Sequence, residues 1–447
     1  MKILLINPWI CDLAAYDYWS KPLGLLYIGS VLRSEGHSIY LIDCLHTNGQ
    51  EMAENKSTFS KKPDGRGKYP RRIIQKPEVY RDIPRRYGIY GIPDKVFIRN
   101  LQEINGPDYI LVTSIMTYWY PGVQHTIRLT KEIFPDIPVI LGGIYATLCT
   151  EHAVKYSGSE IVLPGPFETA KDEVLKSFFN PDEMDFNDFP FPVYDLYPSL
   201  DYAAVLTSRG CPFHCDFCAS RKLFSLFRQR DPLHVVEEIE YYFRNLNVKN
   251  IVFYDDALLV NKDNHLSIIL VEVIKRNIKV NFHTPNGIHV SEVDREISQL
   301  MYRSGFKTIR MSLESFDPHV LKWMSKKVSR EIFSKAVCFL EKAGYNRHEL
   351  EAYLLVGLPG QRKKGIIEDI EFVISEGVSV RLAYFSPIPG TSRWEEALNL
   401  LNPVIKDEPL ISNNTAFPIL SGMFSFEELC EIKNYVAALN RNLISSG

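Results

Sequence analysis

The sequence has no feature that would place it in a membrane or on a nucleic acid. Its 447 residues contain no uninterrupted apolar run of the roughly 18 residues that a membrane-spanning helix requires. The 51 Lys and Arg and 54 Asp and Glu give a net charge of -3, whereas a dedicated nucleic-acid-binding protein usually carries a basic domain. The opening MKILLINPWICD lacks the small-residue cleavage site of a signal peptide. We therefore expect a cytoplasmic protein without a membrane span, and nucleic acid is not an expected partner.

The cysteines do not follow a disulfide pattern. Five of the eight lie far apart, as buried thiols in a reducing compartment usually do: Cys11, Cys44, Cys149, Cys338 and Cys430. The other three, Cys211, Cys215 and Cys218, lie close together on one short segment. We expect the chemistry of the protein at this cluster.

The first part of the chain alternates apolar runs with helical periodicity, which predicts a helix after the first run, a helix from about Gly122 to Phe134 after the third, and a helix through Phe178 after the fifth. Five such runs, MKILLINP, HSIYLIDC, DYILVTSIM, PVILGGI and EIVLPGP, predict five buried strands of a doubly wound, Rossmann-like parallel sheet in an α/β domain over 1–178. A Lys-, Arg- and Pro-rich insertion at about 45–106 interrupts it, and its aromatic and Ile residues favour an ordered cap. Ligands of such sheets bind beyond the carboxyl ends of the strands.

A second domain follows a linker. Residues 179–201 contain four prolines and no clean periodicity. Six strand-like runs then alternate with helical stretches, which predicts a partial (β/α)6 barrel over 202–390: AAVLTSRG, NIVFYDD, KVNFHTPNG, TIRMSLES, LEAYLLVG and VSVRLAYFSP. A helical tail is expected over 391–447.

The cysteine cluster directly follows the first of these six strands. Its spacing, Cys-x3-Cys-x2-Cys, offers three thiolates on one loop, with His214 too close to its neighbours to complete a normal zinc site. A disulfide would leave one thiol over. Three thiolates suit a four-iron, four-sulfur cluster (4Fe-4S), in which the fourth iron stays open to an exogenous ligand.

This loop resembles the signature of the radical S-adenosylmethionine (radical SAM) superfamily, Cys-x3-Cys-x-aromatic-Cys, with Phe217 at the aromatic position. The resemblance implies that S-adenosylmethionine chelates the open iron and is cleaved to a 5'-deoxyadenosyl radical. It also implies cofactor contacts at three further strand ends. These contacts are Asp255 and Asp256 for the methionyl ammonium, Ser312 and Glu314 for the nucleoside ribose or carboxylate, and Gly357 and Gly360 beside the adenine.

A Rossmann-like domain followed by such a barrel resembles the cobalamin-binding class of radical SAM enzymes. The positions that would contact the corrin are Ser114, Gly142, Gly143 and Gly165, where glycines let the backbone approach a ligand. The loop after the first strand lacks the histidine of methionine-synthase-type domains, and His46 is expected to be a surface or capping residue. Tyr145 stands where members of this class often have His.

The expected activity is methylation of an unactivated carbon of a small-molecule substrate, with an electron donor such as flavodoxin or ferredoxin. Three alternatives stay open. One is a radical cyclase or rearrangement enzyme that does not transfer a methyl group. Another is a methylthiotransferase-like enzyme, in which Cys11 and Cys44 would help to hold a second cluster. The third is a non-enzymatic corrinoid sensor. The substrate and the catalytic residues are not readable from the sequence.

Overall fold

The computed structural model describes residues 1–47, 60–169, 185–325 and 328–446. The chain forms two compact units. The first comprises Met1–Asp201 with Asp407–Asn413, and the second comprises Tyr202–Lys406 with Asn414–Gly447. Within the described ranges, no helix has the length and apolar character needed to cross a membrane.

The first unit is built on a five-stranded parallel sheet. Its strands are β1 (Lys2–Asn7), β2 (Ser38–Asp43), β3 (Tyr109–Val112), β4 (Val139–Leu141) and β5 (Ile161–Val162). They are ordered β5-β4-β3-β1-β2, so the order reverses between β1 and β3. All five predicted strands are present, and β1 is buried as its continuous apolar run indicates. The prediction that all five are buried is wrong for β2 and β5, which are only partly buried because they are the two edge strands of the sheet.

Among the described residues of this unit, five α-helices connect and cover the sheet: α1 (Leu23–Ser34), α2 (Asp94–Glu103), α3 (Tyr120–Ile133), α4 (Gly143–Leu148) and α5 (Thr150–Tyr156). The predicted helices after β1 and β3 are confirmed as α1 and α3. The predicted helix that runs through Phe178 falls on residues outside the described ranges.

The described part of the insertion, 60–106, is ordered. It contains the short strands Ser60–Lys61, Gly67–Lys68, Arg71–Ile73 and Gly88–Tyr90, followed by α2. Gly88–Tyr90 pairs with both Arg71–Ile73 and Ile10–Asp12, which makes a three-stranded antiparallel sheet. Several of its basic side chains pair with acids, as Arg72 does with Asp94 at 3.0 Å. This pairing reduces the positive charge that the composition alone indicates.

The second unit contains a six-stranded parallel sheet in sequence order: β6 (Ala203–Val205), β7 (Asn250–Phe253), β8 (Asn281–His283), β9 (Phe306–Glu314), β10 (Leu350–Val356) and β11 (Ser379–Tyr384). The two-residue strand Ile288–His289 also pairs with β9. All six predicted strands are present. Phe253, Phe282 and Phe306 form an aromatic cluster across β7, β8 and the start of β9, with ring centroids 5.1–5.7 Å apart.

The described part of this unit contains ten α-helices: α6 (Ser220–Leu223), α7 (Pro232–Asn245), α8 (Leu266–Lys275), α9 (Arg295–Ser304), α10 (Pro318–Leu321), α11 (Arg330–Ala343), α12 (Lys363–Ser375), α13 (Trp394–Leu398), α14 (Phe417–Leu420) and α15 (Phe426–Ser446). Among the described residues of 391–447 there are helices and no strand, as expected.

One short segment of this tail joins the first unit. Residues Asp407–Asn413 lie with Met1–Asp201 because buried polar groups hold them there. The Tyr80 hydroxyl donates to the Leu410 carbonyl oxygen at 2.7 Å, and the Asn413 amide donates to the Asp12 carboxylate at 2.8 Å. Such long-range pairs leave no periodic trace in the sequence.

Candidate active site

The three clustered cysteines lie on a loop, residues 210–227, that a short antiparallel stem closes. The stem pairs Ser208–Arg209 with Arg228–Gln229, directly after β6. Gly210 makes the closure possible because its φ of +76° is left-handed and a Cβ there would lie 2.7 Å from the Leu226 carbonyl oxygen. We call residues 210–227 the cysteine loop.

The cysteine loop is anchored at Asp216 by two distant segments. The Asp216 N–H donates to the Trp323 carbonyl oxygen at 3.0 Å. Arg393 donates to Asp216 through its backbone N–H at 3.2 Å and through its guanidinium at 3.3 Å. The same guanidinium stacks over the Trp323 ring at 4.3 Å. The loop is therefore supported from outside its own stem.

All three cysteine sulfurs accept a backbone N–H, a common environment for cluster thiolates. Phe213 donates to Cys211, Ser325 to Cys215, and Ser220 to Cys218 at 3.5 Å. Cys211 and Cys215 are half-buried and Cys218 is exposed. Burial raises the pKa of the Cys211 thiol to about 11. Bound iron would have to displace the proton, as metals do at thiol ligands.

The donor set fits a multi-iron cluster better than a single ion. In the described part of the chain, no three His, Cys, Asp or Glu side chains converge closely enough to hold one metal ion. The thiolates of a 4Fe-4S cluster each bind a different iron and so need not meet at one point. Charge interactions among Cys211, Cys215 and Cys218 show that they are near neighbours.

Two acidic residues from neighbouring strand ends reach this loop. Asp256, after β7, interacts electrostatically with Cys211, and Glu314, at the end of β9, interacts with Cys215. Asp256 is exposed and accepts a hydrogen bond from Ser220, yet desolvation raises its pKa to about 6. Desolvation raises the pKa of Glu314 to about 7. The structure thus brings both predicted acids to the cysteines.

Asp255 has other partners than the sequence predicts. Its side chain is 2% exposed, and its carboxylate accepts hydrogen bonds from Thr207 and Ser208. These residues lie between β6 and the cysteine loop. In this structure the Asp255 carboxylate contacts a backbone N–H and two hydroxyls of the protein, where a contact with the ligand ammonium was expected.

The predicted glycines at the end of β10 differ from each other. Gly357 has a φ of +93°, and a Cβ there would lie 2.9 Å from Pro418. Its N–H donates to the Gln361 side chain at 2.8 Å, so a close internal contact accounts for this glycine. A Cβ at Gly360 would meet nothing within 4 Å. Only Gly360 leaves its backbone open to a ligand.

Ser312 lies half-buried on β9, in register with His289 on one side and Tyr353 on the other. Gly287 approaches it so closely that a Cβ there would lie 2.4 Å from the Ser312 hydroxyl. Phe217 is half-buried on the cysteine loop. Sequence reasoning missed Gly287, Ser220, Trp323 and Arg393, and only the asparagine–glycine pair Asn286–Gly287, a turn signal, could have pointed to one of them.

In the first unit, the loops after β3, β4 and β5 come together. A Cβ at Gly143 would lie 2.6 Å from the Ser114 carbonyl oxygen, so this glycine is required by packing. The Thr147 hydroxyl donates to the Gly143 carbonyl oxygen and accepts from the Gly165 N–H at 2.9 Å. Gly142 and Gly165 have no atom nearer than 3.9 Å to an added Cβ. Their backbones are open to a ligand.

The remaining candidates of the first unit have protein partners. The buried Tyr145 hydroxyl lies 2.7 Å from His152 Nδ1. His46 is half-buried at the end of β2, with its ring centroid 5.0 Å from that of Tyr197, where a surface or capping position was expected. Cys11 and Cys44 are both buried, and burial raises the pKa of each thiol.

Residues 205–373 match the Radical SAM superfamily. The second unit therefore contains a radical SAM domain, and the prediction from the Cys-x3-Cys-x2-Cys loop is confirmed. The fold is the radical SAM α/β type with parallel sheets.

The chain is also similar to proteins of several named activities. An uncharacterized methyltransferase of Pyrococcus horikoshii is 25% identical over 66% of this chain and 71% of its own length. Cytidylyl-2-hydroxyethylphosphonate methyltransferase of Streptomyces wedmorensis is 22% identical over 80% of this chain and 73% of its own. The anaerobic magnesium-protoporphyrin IX monomethyl ester cyclase of Rubrivivax gelatinosus is 22% identical over 68% of this chain and 63% of its own length.

Two solved structures share the fold across most of the chain. The radical S-adenosylmethionine methyltransferase TsrM of Kitasatospora setae aligns with a TM-score of 0.63, at 15% identity, over 89% of this chain and 78% of that structure. The cobalamin-dependent S-adenosylmethionine radical enzyme OxsB aligns with a TM-score of 0.57, at 16% identity, over 93% of this chain and 56% of that structure.

Proposed function

We propose that this protein is a cobalamin-dependent radical SAM methyltransferase that methylates an unactivated carbon of a small-molecule substrate. The observation that carries the proposal is the cysteine loop. Three thiols at the Cys-x3-Cys-x2-Cys spacing follow the first strand of a matched radical SAM domain, and each sulfur accepts a backbone N–H.

The similar proteins support the methyl transfer. The Pyrococcus and Streptomyces relatives are both named methyltransferases. The TsrM structure contains cobalamin and a [4Fe-4S] cluster, and the OxsB structure contains aqua-cobalamin and S-adenosylmethionine. Their likeness extends over both units of this chain. We accordingly propose the doubly wound, Rossmann-like cobalamin domain for 1–178 and the partial barrel for 202–390.

The residues of the second unit fit a cluster with S-adenosylmethionine. Cys211, Cys215 and Cys218 would hold three irons, which leaves one iron for the methionyl group. Asp256 is the exposed carboxylate beside Cys211 and suits the methionyl ammonium. When bound, this pair of cofactors supplies a 5'-deoxyadenosyl radical, while the surrounding protein orients the ligand and excludes water.

The residues of the first unit fit a large flat ligand at the carboxyl ends of β4 and β5. Gly142 and Gly165 leave open space beside their Cα atoms, and Thr147 holds the two loops together. When bound there, cobalamin would carry the methyl group. The loop after β1, Asn7-Pro8-Trp9-Ile10-Cys11-Asp12, has no histidine, so this chain offers no imidazole to cobalt from that loop.

The first test is the ultraviolet-visible spectrum and metal content of protein reconstituted without oxygen in the presence of hydroxocobalamin, after unbound corrin is removed. We expect stoichiometric corrin together with about four irons per chain. Iron without corrin would refute the cobalamin part and leave a radical SAM enzyme. The absence of bound iron would refute the whole proposal.

The Rubrivivax relative supplies one competing function, because it is named a cyclase. A radical cyclase would form 5'-deoxyadenosine without S-adenosylhomocysteine. Comparable amounts of the two products in turnover with a low-potential donor would favour methyl transfer. Cys11 and Cys44 are both buried, and Ser114 stands after β3 where a third cysteine would be needed, which disfavours the methylthiotransferase alternative.

We propose a flavodoxin or ferredoxin as the physiological electron donor. We also propose a cytoplasmic location, because such electron donors are found there.

A further inference from the structure

We infer that Asp255 is a positioning residue that holds the stem of the cysteine loop, and that Asp256 is the member of this pair available to a ligand. The inference rests on the proposed function and divides between two adjacent carboxylates a role that the sequence assigns to both. It follows from their different surroundings.

The Asp255 carboxylate is occupied by the chain that leads into the cysteine loop. It accepts from the Thr207 N–H at 3.1 Å, from the Thr207 hydroxyl at 2.7 Å and from the Ser208 hydroxyl at 2.6 Å. Asp255, Thr207 and Ser208 are each at most 2% exposed. A buried carboxylate that accepts three hydrogen bonds in a low-dielectric site strongly restrains the groups that donate them.

The outgoing side of the stem is held by a second buried charge. The Arg230 N–H donates to the Thr207 carbonyl oxygen at 2.8 Å, and its guanidinium donates to the Leu206 carbonyl oxygen at 2.9 Å. The guanidinium also pairs with Glu238 at 2.5 Å, with both side chains fully buried. Thr207 therefore connects Asp255 on the incoming side with Arg230 on the outgoing side.

His265 completes the connection. Its Nε2–H donates to the Arg230 carbonyl oxygen at 3.0 Å, and its ring is 2% exposed. It also interacts electrostatically with Asp255. The buried groups around Thr207 thus form one network, which we call the stem network: Asp255, Thr207, Ser208, Arg230, Glu238 and His265.

Asp256 has none of these contacts. It is exposed, lies near Cys211, and accepts from Ser220, whose hydroxyl lies 3.2 Å from the Cys218 sulfur. Of the two carboxylates, Asp255 is hydrogen-bonded to the stem and Asp256 lies near a cysteine. Asp255 faces the stem and Asp256 faces the loop.

Asp255→Asn and Asp256→Asn form a matched pair that tests this division. Both are reconstituted with iron and sulfide without oxygen, and iron release to bathophenanthroline is timed. Asp255→Asn should release iron about tenfold faster, since a lost charged acceptor loosens the stem. Asp256→Asn should release iron at the wild-type rate but lose the change in the electron paramagnetic resonance spectrum that S-adenosylmethionine causes in the reduced cluster.

The opposite pattern would overturn the inference. If Asp255→Asn keeps its iron and loses the spectral response, Asp255 is the ligand-facing residue. Should Asp255→Asn fail to fold, Thr207→Val and Thr207→Ser replace it, because only the serine keeps the hydroxyl that Asp255 accepts. Equal iron release from these two variants would also overturn the inference.

Trypsin cleavage of the iron-free protein separates this inference from the proposed function. The exposed Arg221 and Lys222 lie within the cysteine loop. Asp255→Asn should be cut there several times faster than Asp256→Asn at equal thermal stability. Unchanged cleavage would refute the stem network even in protein that binds no iron, whereas failure of wild-type protein to bind iron would refute only the proposed function.

Discussion

Glu314 ends β9 with a φ of +68°, a left-handed conformation that is uncommon for a residue other than glycine or asparagine. The pairing of β9 with β10 shifts register between Ser312 and Glu314, which is the effect of a β-bulge. Strain of this kind concentrates at functional sites. Glu314, at this bulge, lies close enough to Cys215 to interact with it electrostatically.

The raised pKa of Glu314, about 7, predicts a pH dependence of stability. The pKa of this carboxyl is near 4.5 in the unfolded chain. At pH values between 4.5 and 7, Glu314 therefore keeps its proton in the folded protein and loses it in the unfolded chain. The free energy of unfolding should therefore fall as the pH rises, by roughly 1–3 kcal/mol across this window. Glu314→Gln should remove this fall, measured by urea unfolding of the iron-free protein at pH 5.5 and 8. Parallel pH profiles of the two proteins would contradict the prediction.

Two adjacent glycines provide a second prediction at the residue scale. Gly143→Ala should lower the free energy of unfolding by roughly 2–3 kcal/mol, because of its positive φ and the backbone contact with Ser114. Gly142→Ala should leave stability nearly unchanged, since its φ of -124° suits any residue. It should instead weaken hydroxocobalamin binding, measured by calorimetry, because the new methyl group enters open space. Unchanged corrin affinity would argue against a corrin at Gly142.

At the scale of elements, short segments far apart in sequence hold the candidate sites. The cysteine loop depends on Asp216 contacts from Trp323 and Arg393. The first unit includes Asp407–Asn413, and Asp12 accepts there from both Trp119 and Asn413 at 2.8 Å. Residues with no catalytic chemistry of their own thus anchor the cysteine loop and the Asp407–Asn413 segment.

Asn413→Ala should release the Asp407–Asn413 segment from the first unit. The change removes one donor from the buried Asp12 carboxylate, which should cost about 1–3 kcal/mol. Hydrogen exchange of the backbone amides of 410–413 should accelerate, while Asn399→Ala, at an exposed position, serves as the control. Equal exchange in both variants would show that Asp12 does not anchor the segment.

At the scale of the whole molecule, the cysteines divide into one group of three on the cysteine loop and five isolated thiols. The Ala variants of Cys211, Cys215 and Cys218, combined, should bind no iron and keep the thermal stability of the iron-free protein, because none of the three is fully buried. Cys338→Ser, half-buried on α11, should bind as much iron as wild type. Iron retained by the triple variant would indicate a second cluster elsewhere.

The apolar runs and the cysteine spacing were sufficient to predict most of the architecture. Each of the eleven predicted sheet strands is present, and most of them coincide with the apolar runs that are typical of buried parallel strands. The helix α2 was missed inside the basic insertion. Its buried residues Val96, Phe97 and Leu101 are few among charged neighbours, so the composition of the insertion concealed its helical pattern.

The sequence by itself determined the two parallel sheets and the radical SAM domain, since strand periodicity and thiol spacing are local properties of the chain. Only the tertiary structure decided which residue of each similar pair is taken up by protein contacts and which is left open. It separated Asp256 from Asp255, Gly142 from Gly143, and Gly360 from Gly357. The physical reason is that burial, a neighbour's carbonyl oxygen and a hydrogen-bond donor from a distant strand are set by packing between segments that the sequence keeps far apart.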